Sequence, residues 1–183
     1  GIEGTCDCFD LNNACLGFLT SLDLAARSVA TGLGPVGIAV VETTSQFISP
    51  DDPRPYLVFG DAAAAVIVGE GRPGEGVLGV SLGNNGAHGN ALLVDHPRIS
   101  GKHENARFVA SNKEMNKLSE DQIAKNVREA LAQGDTTLDE VDWFLVHQPN
   151  GPMMSMILRT IGADPRKTLP VVQEIGSTAS AAI

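Results

Sequence analysis

No stretch of this sequence approaches the roughly 18–20 consecutive apolar residues that a helix needs to cross a bilayer. The longest nearly apolar run, Ala62 to Val68, is four alanines followed by a short β-branched segment. The first residues, Gly-Ile-Glu-Gly, lack the basic start and apolar middle of a signal peptide. They also lack an initiator Met, so we expect upstream residues to have been removed or left out. Positive charge is short too: 13 Lys and Arg stand against 22 Asp and Glu, a net charge of −9. That balance argues against nucleic acid, whose binding rests on basic side chains neutralising phosphates. It also slows encounter with an acidic carrier protein. Cysteine is limited to Cys6, Cys8 and Cys15. An odd number, crowded at one end, excludes a disulfide framework. Cys-x-Cys is too short for the usual zinc-ligand spacing, so Cys6 and Cys8 read as small residues near a strand start. These features fit a reducing cytoplasm. Hydrophobic residues at 43% and charged residues at 19% describe a globular chain with a sizeable core.

Strand and helix patterns alternate along the chain, which predicts an α/β layered fold. Phe9 to Leu11 reads as a strand running into the turn Asn12-Asn13-Ala14-Cys15. Phe18, Leu19, Leu22, Ala25, Ala26 and Val29 then share one helical face, and Gly32 ends that helix. Gly37 to Val41 reads as a buried strand, Ser49 to Pro55 as a loop, and Tyr56 to Phe59 and Ala64 to Val68 as strands around Gly60-Asp61. Gly69 to Gly76 is the clearest turn signal. Val77 to Leu82 reads as a strand, and Gly83 to Gly101 as a long polar loop. A helical pattern in one or two pieces spans about 105–133, with Ile123, Val127, Ala130 and Leu131 on one face. Trp143 to Val146 reads as a strand delivering His147 at its end. Pro152 to Ile161 reads as a helix with Pro in its first turn. Leu169 to Val172 reads as a strand, and Gly176-Ser177-Thr178 as the opening of a last helix. Both halves thus follow a strand, polar turn, reactive residue, helix pattern.

Two patterns are decoys. Gly32, Gly34 and Gly37 spell G-x-G-x-x-G, but a helix precedes and a strand follows. A pyrophosphate site needs the reverse order, so a tight helix-to-strand turn is the better reading. His88, His96 and His103 lie in one loop, with no Cys or carboxylate pair at ligand spacing. They read as solvated loop histidines, and no metal is expected.

Cys15 stands at a strand-to-helix junction, where unpaired N–H groups and partial positive charge would lower a thiol pKa. A buried structural cysteine would sit equally well there. Other segments bear on that choice. Asp10-Leu11-Asn12-Asn13-Ala14-Cys15-Leu16-Gly17-Phe18 resembles the active-site cysteine segment of ketoacyl synthase III enzymes and of relatives that join two acyl-CoA molecules head to head. Phe59-Gly60-Asp61-Ala62-Ala63-Ala64-Ala65 resembles that family's Phe-Gly-Asp-Gly-Ala-Gly-Ala stretch. Asp142 to Asn150, containing His147-Gln148-Pro149-Asn150, resembles its His-Gln-Ala-Asn segment. Gly176-Ser177-Thr178-Ala179-Ser180-Ala181 resembles its Gly-Asn-Thr-Ser-Ala-Ala segment. Their order and spacing match as well.

The resemblance implies a thiolase-like αβαβα layered fold, incomplete at both ends. Residues 1–74 would close the N-terminal half, carrying the nucleophile, and 75–183 would form the C-terminal half. It implies an acyltransferase in which Cys15 accepts an acyl group from coenzyme A or acyl carrier protein. A second acyl thioester then attacks as a carbanion, giving a 3-oxoacyl product. His147 would donate from Nε2 to a thioester oxygen, and the Cys15 N–H would serve the acylation oxyanion. Asn150 and Asn112 would line the pantetheine arm. The resemblance implies no cofactor beyond the coenzyme A or phosphopantetheine thioester substrate. It also implies a homodimer formed through segments partly outside this chain.

Ser177 departs from the family, which has Asn there. Losing a well-placed oxyanion donor costs about 2.7–4 kcal/mol, a hundred- to thousand-fold in rate. A hydroxyl can still donate, directly or through water. Three readings follow: a working condensing enzyme using Ser177, acyl transfer to an amine or alcohol, or a non-catalytic subunit. A cysteine hydrolase using Cys15 and His147 is a weaker rival, because no orienting acid is evident beside His147.

Overall fold

A computed structural model describes residues 6–94 and 105–183. His96 and His103 lie outside the described residues, as do the side chains of Asn112 and Asp121.

The first unit is a helix on a two-stranded sheet. Helix α1 (Gly17–Ala30) follows a 3-10 turn over Ala14–Leu16. It ends where Gly32 takes φ +83°, a conformation that a side chain resists. Strand β1 (Val36–Glu42) follows, so the Gly32–Gly37 glycines do form a helix-to-strand turn. A short helix α2 (Pro53–Tyr56) leads to β2 (Ala62–Val68). Strands β1 and β2 pair antiparallel from Val36↔Val68 to Glu42↔Ala62. Helix α1 packs on this sheet. Alanines 62–65 keep the β2 side small, and Ala25 and Ile38 are buried between the layers.

Beyond a minor antiparallel pair, β3 (Leu92–Leu93) with β4 (Arg107–Phe108), lies the second unit. Helix α3 (Asn112–Gln133) is one continuous helix, not two. Ser111 caps it: its hydroxyl accepts from the Glu114 N–H, and the Glu114 carboxylate accepts from the Ser111 N–H at 2.7 Å. Helix α4 (Gly151–Ile161) packs against α3. Its apolar face places Met154 and Leu158 in a core with Phe144 and Ala163. Helix α5 (Val172–Ile175) and a 3-10 turn over Ala179–Ala182 complete the chain.

The α/β character is as the pattern predicts, but several expected strands are not formed among the described residues. Phe9 to Leu11 and Val77 to Leu82 have no ladder partner. The latter lies along α3, with its Val80 N–H on Gln133 Oε1 (3.1 Å) and its Ser81 hydroxyl on Glu129 (2.7 Å). Tyr56 instead ends helix α2, because Asp52 caps that helix at the Arg54 N–H and two prolines occupy its single turn. Only Phe59 keeps strand character, bridging in parallel to Ser177. Trp143 to Val146 makes one backbone bond, Phe144 N–H to Lys167 O at 2.7 Å, and leaves Trp143 and Leu145 more than half exposed. Residues 169–172 are held by a side chain rather than a ladder, and the last helix is a 3-10 turn.

Candidate active site

Cys15 sits in the middle of the Ala14–Leu16 turn. Ala14 holds φ +44°, a left-handed conformation that costs a residue with a Cβ about 1 kcal/mol or more. The turn is braced from both sides. Asn12 Oδ1 accepts from the Ala14 N–H at 3.1 Å, and Asn13 Nδ2 donates to Thr20 Oγ1 at 2.8 Å. Cys6, Cys8 and Cys15 are all free thiols, and Cys15 is half-buried.

The thiol does not behave as the helix terminus alone would predict. Burial pushes its pKa up, the nearby Glu42 carboxylate pushes it further, and the Cys15 N–H pulls the other way without winning. Both causes run against the thiolate that the helix terminus alone would favour.

The Ala14–Leu16 turn packs against the Ala179–Ala182 turn. A Cβ placed on Gly17 would lie 3.3 Å from Ser180 Oγ, so this small residue permits the approach. Ala179 is itself left-handed, at φ +46°. Its backbone also touches His147, where it partly offsets a downward pKa shift caused by burial. His147 Nδ1 and Thr178 Oγ1 are buried without hydrogen-bond partners among the described residues. Unsatisfied polar atoms and strained residues are uncommon in folded chains and gather at functional sites. Here both gather where the cysteine turn, the 179–182 turn and the histidine segment meet.

Ser177 is 1% exposed. Its N–H donates to Val58 O at 2.8 Å and its carbonyl accepts from the Gly60 N–H at 3.1 Å, pinning it to the Phe59-Gly60-Asp61 segment. A Cβ on Gly60 would collide with the Ile175 carbonyl, which explains glycine there. Asp61 anchors that segment by accepting from both the Ser45 N–H (2.8 Å) and the Ser45 hydroxyl (2.5 Å).

Asn150 carries a structural duty: its Oδ1 caps α4 by accepting from the Met153 N–H at 2.8 Å. Asn112 opens α3, on the far side of the Ser111 cap. Two residues went unnoticed in the sequence. Gln148, 3% exposed, donates from Nε2 to Leu169 O (2.9 Å) and accepts at Oε1 from the Val171 (2.9 Å) and Val172 (3.1 Å) N–H groups. It locks the residue after His147 onto the 169–172 segment. Its signal was its place beside His147 in the His147-Gln148-Pro149-Asn150 segment, which did not show this duty. Glu42 accepts from both the N–H and the hydroxyl of Ser180. Its signal was a carboxylate ending a buried strand.

A cavity of about 140 Å³ is lined by Leu138, Asp139, Phe144, Gly162, Asp164 and Lys167 and does not include the cysteine. Among the described residues no three His, Cys, Asp or Glu side chains converge to hold a metal ion. No described helix is long and apolar enough to cross a membrane.

Comparison with known proteins adds to this geometry. The family model for 3-oxoacyl-acyl-carrier-protein synthase III matches residues 9–86, and the model for that family's C-terminal part matches residues 131–183. The chain belongs to the 3-oxoacyl-acyl-carrier-protein synthase III family. It is 27% identical to the β-ketoacyl-acyl-carrier-protein synthase III of Lactococcus lactis strain IL1403, over 96% of this chain and 56% of that protein. It is 30% identical to the corresponding protein of Synechococcus sp. strain WH7803, over 96% and 55%. The crystal structure of the Pseudomonas aeruginosa PAO1 synthase III superposes with a TM-score of 0.87 at 23% identity, covering 96% of this chain and 55% of that one. The fold of the family is thus present, and the chain spans about half the length of the relatives it matches.

Proposed function

We propose that this chain carries the nucleophile of an acyltransferase that condenses two acyl thioesters into a 3-oxoacyl product, as in fatty-acid or polyketide chain building. The observation supporting this most strongly is that Cys15 and His147 each pack against the same strained turn, Ala179–Ala182.

In this reading Cys15 starts as a thiol and His147 as a neutral imidazole, both because of burial. A neutral imidazole can take the thiol proton as the sulfur attacks a thioester carbonyl. The Cys15 N–H, at the start of α1, donates to the oxygen that becomes negative. The departing coenzyme A or carrier thiolate takes the proton back. In the second half-reaction His147 donates from Nε2 to the thioester oxygen of the incoming carbanion. Ser177 is assigned the role of second donor on the resemblance. Asn150 has its amide nitrogen left for the pantetheine arm, since its cap uses Oδ1; Asn112 is assigned to the same arm on the resemblance alone. We read residues 1–74 and 75–183 as parts of two related halves meeting at this site, in a cytoplasmic homodimer with no cofactor beyond its thioester substrates.

Ser177 favours a second reading: transfer to a nucleophile other than carbon, or a subunit without its own turnover. Products of malonyl-CoA and acyl-CoA, incubated separately and together, decide between them. A 3-oxoacyl product from the pair supports condensation. Thiol release with an ester or amide product, or no turnover at all, rejects it.

A further inference from the structure

Among the described residues Glu42 is the acid whose charge acts on the Cys15 thiol, and neither the condensation scheme nor the sequence motifs give it a role. It ends β1 opposite Ala62, with its side chain half-buried. One carboxylate oxygen, Oε1, takes both donors of Ser180: the N–H at 3.2 Å and the hydroxyl in a short bond. Ser180 is 3% exposed and sits where a Gly17 Cβ would be 3.3 Å from its Oγ. The contact order is therefore β1, Glu42, Ser180, then the first residue of α1, two positions past the nucleophile.

Among the described residues, the other elements packed against Cys15 bring no second charge. The first turn of α1 has no acidic residue. The 179–182 turn is three alanines and Ser180. Asp23, further along α1, is paired with Arg27 at 3.0 Å. The imidazole of His147 is pushed toward its neutral form by burial.

We propose that Glu42 is a positioning residue that ties the 179–182 turn to the nucleophile helix and holds its carboxylate close to Cys15. The functional meaning rests on Cys15 being the acyl acceptor. A protonated thiol is poorly reactive toward stray electrophiles and oxidants. It becomes a thiolate only when a base takes its proton. The charge works against thiolate formation and cannot stabilise it.

The test is the pH profile of Cys15 alkylation by iodoacetamide between pH 6 and 10, with the Cys15 peptide quantified by mass spectrometry so that Cys6 and Cys8 do not contribute. The wild-type midpoint is expected above the free-thiol value of about 8.5. Glu42→Gln removes the charge and should move the midpoint down by about half to one unit, raising the rate at pH 7 about three- to tenfold. Glu42→Asp keeps the charge and should stay near wild type. A Gln variant with an unmoved midpoint overturns the proposal. A wild-type midpoint at or below about 8.5 overturns it as well, and that measurement stands even if Glu42→Gln does not fold. Alkylation needs no acyl substrate. A missing acyl adduct alongside the expected alkylation shift would therefore sink the condensing function and leave the electrostatic effect standing.

Discussion

Replacing Gln148 with Leu should be among the most damaging single changes outside the apolar core. Leu is close in volume, so packing is largely kept, while three hydrogen bonds are lost together. Two are the N–H groups of Val171 and Val172 on Oε1, and one is the Nε2 bond to Leu169 O. Each such bond is worth about 0.5–1.5 kcal/mol net, and buried backbone groups stripped of partners sit at the costly end. The expected loss is roughly 2–4 kcal/mol. For a chain of this size that is a fall of roughly 5–15 °C in Tm. Urea unfolding measures it directly, with Thr168→Val as the internal scale. That change removes a single bond in the same region, Thr168 Oγ1 to Phe144 O at 2.9 Å, and should cost about 1 kcal/mol. If Gln148→Leu costs no more than Thr168→Val, the clamp does not hold the 169–172 segment and the reasoning fails.

Three further outcomes follow from the same contacts. Asn150→Ala removes the α4 cap and should cost about 1 kcal/mol, read as a fall in Tm of roughly 2–4 °C. Ser177→Ala should lower 3-oxoacyl formation at least about tenfold if its hydroxyl is the second donor, and an unchanged rate removes Ser177 from the chemistry. His147 has its pKa lowered by folding, so the unfolded chain binds its proton more readily. Its contribution to stability is complete above about pH 6.5 and is lost as pH falls through the lower folded value, with a slope of up to about 1.4 kcal/mol per pH unit. Urea midpoints measured from pH 8 to 4 should show this loss in wild type and less of it in His147→Asn.

Helices were legible because their signals are local. The α1 face of Phe18, Leu22, Ala25 and Val29 repeats every turn, and Gly32 stops it with a conformation suited to glycine. Strands β1 and β2 were legible as β-branched runs that pair with each other. The segments at 9–11, 77–82 and 143–146 are also apolar-rich, yet a strand exists only where another strand accepts its hydrogen bonds. Tyr56 was misread because apolar character outweighed the Asp52 cap and its prolines. At the site, Cys15, His147 and Ser177 could be picked out by type and order. The duties of Glu42 and of Gln148, which the histidine segment does contain, could not be read, because they come from partners far along the chain: Ser180 for one, residues 169–172 for the other. The direction of the Cys15 shift was hidden for the same reason. A helix terminus is visible in sequence, whereas burial and a carboxylate from β1 are products of folding.

The central claim is that the Cys15 sulfur takes an acyl group. Incubation of the chain with an acyl-CoA, followed by peptide mass spectrometry, should show the acyl mass on the Cys15 peptide and on neither Cys6 nor Cys8. The adduct should disappear in Cys15→Ala and form more slowly in His147→Asn. An unmodified Cys15 peptide, or an undiminished adduct in Cys15→Ala, would contradict the account.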